Sequence, residues 1–299
     1  MKRSIKKGIL SSIRRYGWEV RRSRNSNAEP PPTFDDPWEV IWHLRSGKPA
    51  TLNCPIAECV RPFGHAFGSW EHLTEASREI IRDQSATYED SILRTYFDTF
   101  RPVDASSAVL GLTLTSLKNR SPLALLCPPW TVTSVDKIIR GAERGLTKEN
   151  AEHGASGLTI HDGTAYFGPV SPRKGELEHL RLKRLVASIG SQGYDRSYGD
   201  LDVTVLRRGS QFRYLKLGVG YHRTAVMCAL GEVTIPAVPR YPYVIEVEQA
   251  QFWPQVQRGV WSYDDAVAYF HHLFDFESST WATAHHLVEQ TSARLTVAS

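Results

Sequence analysis

Gly218, Gly220, His222, Arg223 and Thr224 lie where an apolar run ending at Leu217 gives way to a helical pattern. The first amides of a helix lack intrahelical partners and their dipoles add, so such a turn can hold an anion, and glycine lets a phosphate approach the backbone. Arg223 offers a two-pronged donor and His222 a directed one. Glycine-rich strand-to-helix turns are common, and plain chain reversal is the competing reading. Phosphoryl transfer would also need a base beside the attacking hydroxyl, usually with Mg2+. Glu178, one helical turn before Leu182, is the candidate base or metal ligand; its competing role is a solvated acid near a helix N-terminus. Asp195 and Asp200, in the following loop, are weaker candidates of the same kind.

Other reactive residues point less far. Cys54, Cys59, Cys127 and Cys228 have neither paired metal-ligand spacing nor the density of a disulfide-stapled domain, which fits a reducing cytosol. The doublets His271-His272 and His285-His286 offer no i, i+4 pair, so helical histidines with separate directions are expected rather than a metal site. Phe252, Trp253, Trp261, Tyr263, Tyr269 and Phe270 read as core and interface rather than as a base-stacking platform.

The elements that must position the turn alternate in type. Leu180–Gly190 has Leu182, Leu185, Val186 and Ile189 at helical spacing, with Gly193 as a stop. Asp202–Leu206 and Phe212–Leu217 read as a hairpin around Arg208-Gly209-Ser210, and Thr224–Leu230 as a short helix. Thr234–Val238 reads as an edge-like strand, where Pro236 is tolerable, and Tyr243–Val247 as another. Ser262–Phe274 and Ser278–Glu289 read as helices. Upstream, helices are expected from Pro37 (Trp38, Val40, Ile41, Leu44), over Leu73–Asp83 and over Tyr88–Phe100, with Pro102 as a stop.

Charge is distributed unevenly. Residues 1–24 carry nine Lys/Arg and one acid, +8, which leaves −4 for the rest of a chain whose net charge is +4. A slightly acidic body argues against a general nucleic-acid binder. Ile5, Ile9, Ile13 and Tyr16 recur at helical spacing among the cations, so the arm reads as a basic amphipathic helix suited to an anionic membrane surface. It has neither the apolar run of a membrane span nor the h-region of a secretory signal. Four segments follow: the arm (1–24), a Pro-rich linker (25–33), a mainly helical region of unassigned role (34–150) and an α/β (α+β) unit with C-terminal helices (151–299).

A longer array resembles a known superfamily. The helix Arg181–Gly193 with its Ser188-Ile189, the hairpin strands, Gly220-x-His222-Arg223-x-Ala225, Leu230-Gly231 and Ile235-Pro236 follow in the order and spacing of ParB/sulfiredoxin-like (ParB-like nuclease domain) proteins. About 70 residues are covered. The resemblance implies a mixed-sheet domain that binds ATP or another nucleotide with Mg2+, through Gly218, Gly220, Tyr221, His222, Arg223 and Thr224. Partition proteins of the family have Gly-Glu-Arg-Arg at the turn and a helix-turn-helix afterwards, which is not seen here. Sulfiredoxins have a nucleophilic cysteine where this chain has Tyr221, so sulfinic-acid repair is not expected. The turn is most similar to that of the superfamily's small-molecule kinases, with Val219 in place of their acid. This implies a nucleotide-dependent phosphotransferase, with Glu178 and His222 as catalytic residues. The alternatives are a non-catalytic ATP- or CTP-sensing module and a DNA-associated protein. Arg15–Arg22, Tyr88–Pro102 and Phe167–Ser171 also resemble segments of surface-polysaccharide cluster proteins, which implies a cytoplasmic protein at the inner membrane face acting on a glycan or lipid-linked acceptor.

Overall fold

The computed structural model describes residues 31–218 and 220–288. The basic arm, linker residues 25–30, Val219 and the expected helix end at Glu289 lie outside them. In chain order the elements are β1 (Thr33–Phe34), α1 (Pro37–Arg45), β2 (Thr51–Pro55), β3 (Cys59–Val60), α2 (His72–Arg82), α3 (Ile92–Thr99), α4 (Val135–Glu152), α5 (Pro172–Gln192), β4 (Leu201–Arg208), β5 (Gln211–Lys216), α6 (Tyr221–Ala229), β6 (Thr234–Glu246), α7 (Pro254–Gln257), α8 (Tyr263–Asp275) and α9 (Ser278–Ala284). This is a mixed α/β fold on one six-stranded sheet, in the order β1-β2-β6-β4-β5-β3. Among the described residues no helix is long and apolar enough to cross a membrane.

Local signals start α1 and α8 where expected, and start α3 at Ile92 rather than at the expected Tyr88. Asp36 accepts from the amide of Trp38 with Pro37 at the first helical position of α1, and Ser91 and Ser262 cap α3 and α8 in the same way. Helix α5 begins well before the expected Leu180, because Ser171 caps it and Pro172 opens it. Its early turns were illegible as a core helix because Lys174, Glu178 and Arg181 are charged yet buried. Gly175 lets α5 lie against Tyr88, since a Cβ there would stand 1.9 Å from the ring.

The sheet corrects the expected division of the chain. β1, β2 and β3 come from the region read as mainly helical, and the expected boundary at 150/151 falls inside α4. β6 replaces the two expected strands and is not an edge: it pairs antiparallel with β2 and parallel with β4. Its register jumps from Val203↔Pro239 to Val205↔Val244, a bulge that takes Pro242 out of the ladder.

β2 and β3 are joined only by the 3-10 turn Ile56–Glu58, yet they stand second and sixth in the sheet. In a flat sheet they would be about 19 Å apart, farther than the roughly 14 Å that four residue steps can span. The sheet therefore curls, and it brings the buried thiols of Cys54 and Cys59 to 3.5 Å. One contiguous core runs from Val40 on α1 to Leu287, and α2, α3, α5 and α6 pack on one another. Leu52 on β2 is fully buried opposite Ala237 of β6. Leu52→Ala is expected to cost about 2–5 kcal/mol, read by urea denaturation as a shift of a single transition. A transition confined to part of the chain would contradict a shared core.

Candidate functional site

The turn itself has the expected form. β5 ends at Lys216, Gly218 and Gly220 have φ of +80° and +100°, and α6 starts at Tyr221. A side chain at Gly220 would be strained, and its Cβ would stand 2.5 Å from Leu201. Gly220 is the N-cap and has no side chain to offer the first amides of α6. Its carbonyl accepts from the Thr224 amide at 3.0 Å and from the Thr224 hydroxyl at 3.1 Å, so the buried Thr224 serves the helix start.

Three cations surround this turn, and two of them were not read from the sequence. Arg223 Nη1 donates to Gly199 O (2.9 Å) and the Tyr194 hydroxyl (3.2 Å), while Nη2 lies 3.3 Å from where a Gly220 Cβ would be. Lys216 is buried and donates to Asp202 O at 3.1 Å. Burial lowers its pKa to about 8; Arg223 and Arg240 act in the same direction, against Asp202. Arg240 pairs with Asp202 at 2.8 Å. Asp195 caps its own 3-10 turn, and Asp200 is held by Arg196 at 2.9 Å. Lys216 and Arg240 were missed because they stand in strands, where a charge usually means a solvated face. The register Lys216↔Val203↔Pro239 is what brings them to one end of the sheet.

Tyr221 and His222 point the other way, into the protein. His222 Nε2 lies 2.5 Å from Glu178 Oε2. Glu178 is fully buried and also accepts from Lys174 and from Arg181 Nη1, at 3.1 and 3.2 Å; Lys174 donates further to Asn150 at 2.6 Å, and Arg181 to Glu149 at 2.5 Å. Burial opposes the ionisation of Glu178, but Arg181, His222 and Lys174 together hold its carboxyl well below the usual range. Burial, with Arg181, pushes His222 down, so the ring is neutral and donates its Nε2–H. Glu178 was read as a base, metal ligand or solvated acid; the structure makes it the anion of a closed buried network. A carboxylate with three cationic or hydrogen-bonding partners and a depressed pKa is a poor proton acceptor. His222 is spent on Glu178 and is likewise turned away from the side on which Arg223 and Lys216 lie.

The Tyr221 ring is packed beneath Arg61, whose guanidinium carbon lies 4.8 Å from the ring centroid, and beside Tyr166 at 5.4 Å. Arg61 pairs with Glu71, and Glu71 also caps α2 through the Thr74 amide at 2.8 Å. The Tyr96 hydroxyl donates to Tyr166 O at 2.6 Å, so it accepts from His65 Nε2 at 2.9 Å; His72 Nε2 donates to Ala165 O at 3.0 Å. Both imidazoles are thereby fixed as Nε2–H tautomers. The region 34–150, which the sequence left without a role, thus supports the turn from beneath.

Mg2+ takes hard oxygen ligands. Asp202, already paired with Arg240 and flanked by Lys216, does not make a metal site, and among the described residues no group of three or more His, Cys, Asp or Glu is placed to hold one.

Burial lowers His72 to about 3, so its folded pKa lies below the unfolded 6.5. The unfolded chain therefore takes up the proton first, and stability falls as pH drops from about 6.5 toward 3, by roughly 3 kcal/mol at pH 4. Urea titrations at several pH values should show this slope, and His72→Gln should make it shallower, with buried His65, His179 and His222 supplying the remainder; a wild-type stability flat between pH 7 and 4 would rule it out. Glu178→Gln leaves Lys174 and Arg181 under-compensated in the interior and is expected to cost about 3 kcal/mol at pH 7. Comparison with protein-family models, with curated proteins and with solved structures finds no match.

Proposed function

We propose that the chain is a ParB/sulfiredoxin-like nucleotide-binding module that takes the phosphates of ATP, CTP or a similar nucleotide at the turn between β5 and α6. The observation that carries this is the approach of Arg223 Nη2 and Lys216 to a glycine turn whose helix amides have no side-chain cap, with Arg240 held nearby on Asp202. Cations, open amides and a close backbone are the three features that stabilise a phosphate. Any Mg2+ would come as part of the nucleotide complex.

Binding that alters the protein's own state fits this geometry better than transfer. Glu178 and His222 are committed to the buried network, and the first residues of α6 join the turn to it, so a phosphate pulling on Arg223 or on the α6 amides would be felt at Glu178 and Arg61. Phosphoryl transfer to a small-molecule, glycan or lipid-linked acceptor remains the second reading. It would draw on Asp202, a half-exposed carboxylate near the turn that would have to leave its ion pair with Arg240 to act as base.

Calorimetry with ATP, ADP and CTP in the presence of Mg2+ tests the first reading. Micromolar binding is expected for at least one nucleotide, and Arg223→Ala or Lys216→Met, each checked for native circular dichroism, should weaken it on the order of tenfold or more. A folded wild-type chain that binds none of them would end the nucleotide reading. Acceptor-dependent release of ADP, abolished in Asp202→Asn, would move the assignment to a phosphotransferase. Salt-sensitive DNA binding by residues 31–299 would move it to the DNA-associated alternative.

A further inference from the structure

We infer that the exposed face of α1 is a lipid-contacting surface that sets the body of the protein against an anionic bilayer. Val40 and Ile41 on α1 are buried, while Trp38, Trp42 and Arg45 follow one another at i, i+4 and i+7 along the outer side. Trp42 is 73 % exposed and Trp38 41 %, whereas Trp70, Trp130, Trp253 and Trp261 are each at most 4 % exposed. Two exposed indoles on one helical stripe are a large apolar investment for a solvated surface. The patch continues onto the β4–β5 hairpin: Phe212 meets Trp38 edge-on at 6.0 Å, and the Arg207 guanidinium lies 5.4 Å from the Trp38 ring centroid.

The position of this stripe in the chain points to lipid. The described residues begin at 31, and β1, only a few residues on, pairs with β2 while Phe34 packs on His43 of α1 at 4.7 Å. The segment preceding residue 31, with +8 over its first 24 residues and Ile5, Ile9, Ile13 and Tyr16 at helical spacing, therefore joins the body next to α1. Charge for an anionic surface comes from that segment, because the stripe itself is near neutral: Arg45 is on it, Glu39 is beside it, and Arg207 is paired with Glu246. The indoles supply what the charges lack, since tryptophan favours the boundary between headgroups and acyl chains, where its ring is apolar and its N–H still finds water.

The test is co-sedimentation of the full chain with vesicles of phosphatidylcholine alone and of phosphatidylcholine with phosphatidylserine. Binding is expected on the anionic vesicles, reduced by salt, and the double variant Trp38→Ala/Trp42→Ala should lower the partition coefficient on the order of tenfold. Trp42→Ala alone, at a site exposed enough to leave folding untouched, should lower it severalfold. Brominated acyl chains should quench wild-type fluorescence more than that of Trp42→Ala. Wild-type binding unchanged in the double variant would mean that the basic segment acts alone and would overturn the inference, as would no binding to anionic vesicles. Neither result bears on nucleotide binding at the α6 turn, which lies on a separate part of the molecule.

Discussion

A carboxylate with no access to water constrains the centre of this protein. Glu178 stays ionised only because Lys174, Arg181 and His222 surround it, and each partner is itself held from elsewhere: Lys174 by Asn150, Arg181 by Glu149, and His222 by the start of α6. An unpaired buried charge is so unfavourable that these positions are tied to one another. The relative placement of α4, α5 and α6 is therefore fixed electrostatically as well as by packing. Such a network favours one arrangement more than it adds stability, because each ion has given up its hydration to enter it.

The α6 turn stands between that interior and the surface. Successive side chains on a helix point about a quarter-turn apart or slightly more, so Tyr221 and His222 can face the core while Arg223 reaches across to the Tyr194–Gly199 loop. Beneath them, Arg61 couples Tyr221 to Glu71, the cap of α2. A change at the turn has a short path to the α2–α3 layer through contacts already made. The proposed reading, a ligand that alters the state of the protein, rests on this path.

The curl of the sheet has its own consequence. The three-residue link between β2 and β3 forces the last strand back toward the second, and β3 leads directly into Arg61. Without that closure, Arg61 would not reach the underside of a turn near position 220. The same closure leaves α1 on the outside, backed by β1, β2 and β6, with its indoles unpaired to the core.

Much of the local structure was legible. The caps at Asp36, Ser91 and Ser262, the hairpin around Gly209 and the left-handed glycines before α6 are decided by near neighbours, so their signals survive in a linear reading. The sequence grouped Gly218, Gly220, Tyr221, His222, Arg223 and Thr224 at one turn, of which Tyr221, His222 and Thr224 are buried. What it could not decide was direction and partnership. Whether Glu178 faces water or Lys174, whether His222 serves a ligand or a carboxylate, and whether Lys216 and Arg240 meet depend on helix rotation and strand register. The short strands β1 and β3 carry too few residues for a period to show, and β6 hides its centrality behind prolines that only its bulge and neighbours explain. Charge patterning assumes that ionised groups seek solvent; the tertiary structure reversed this at α5 by bringing opposite charges from distant positions into contact.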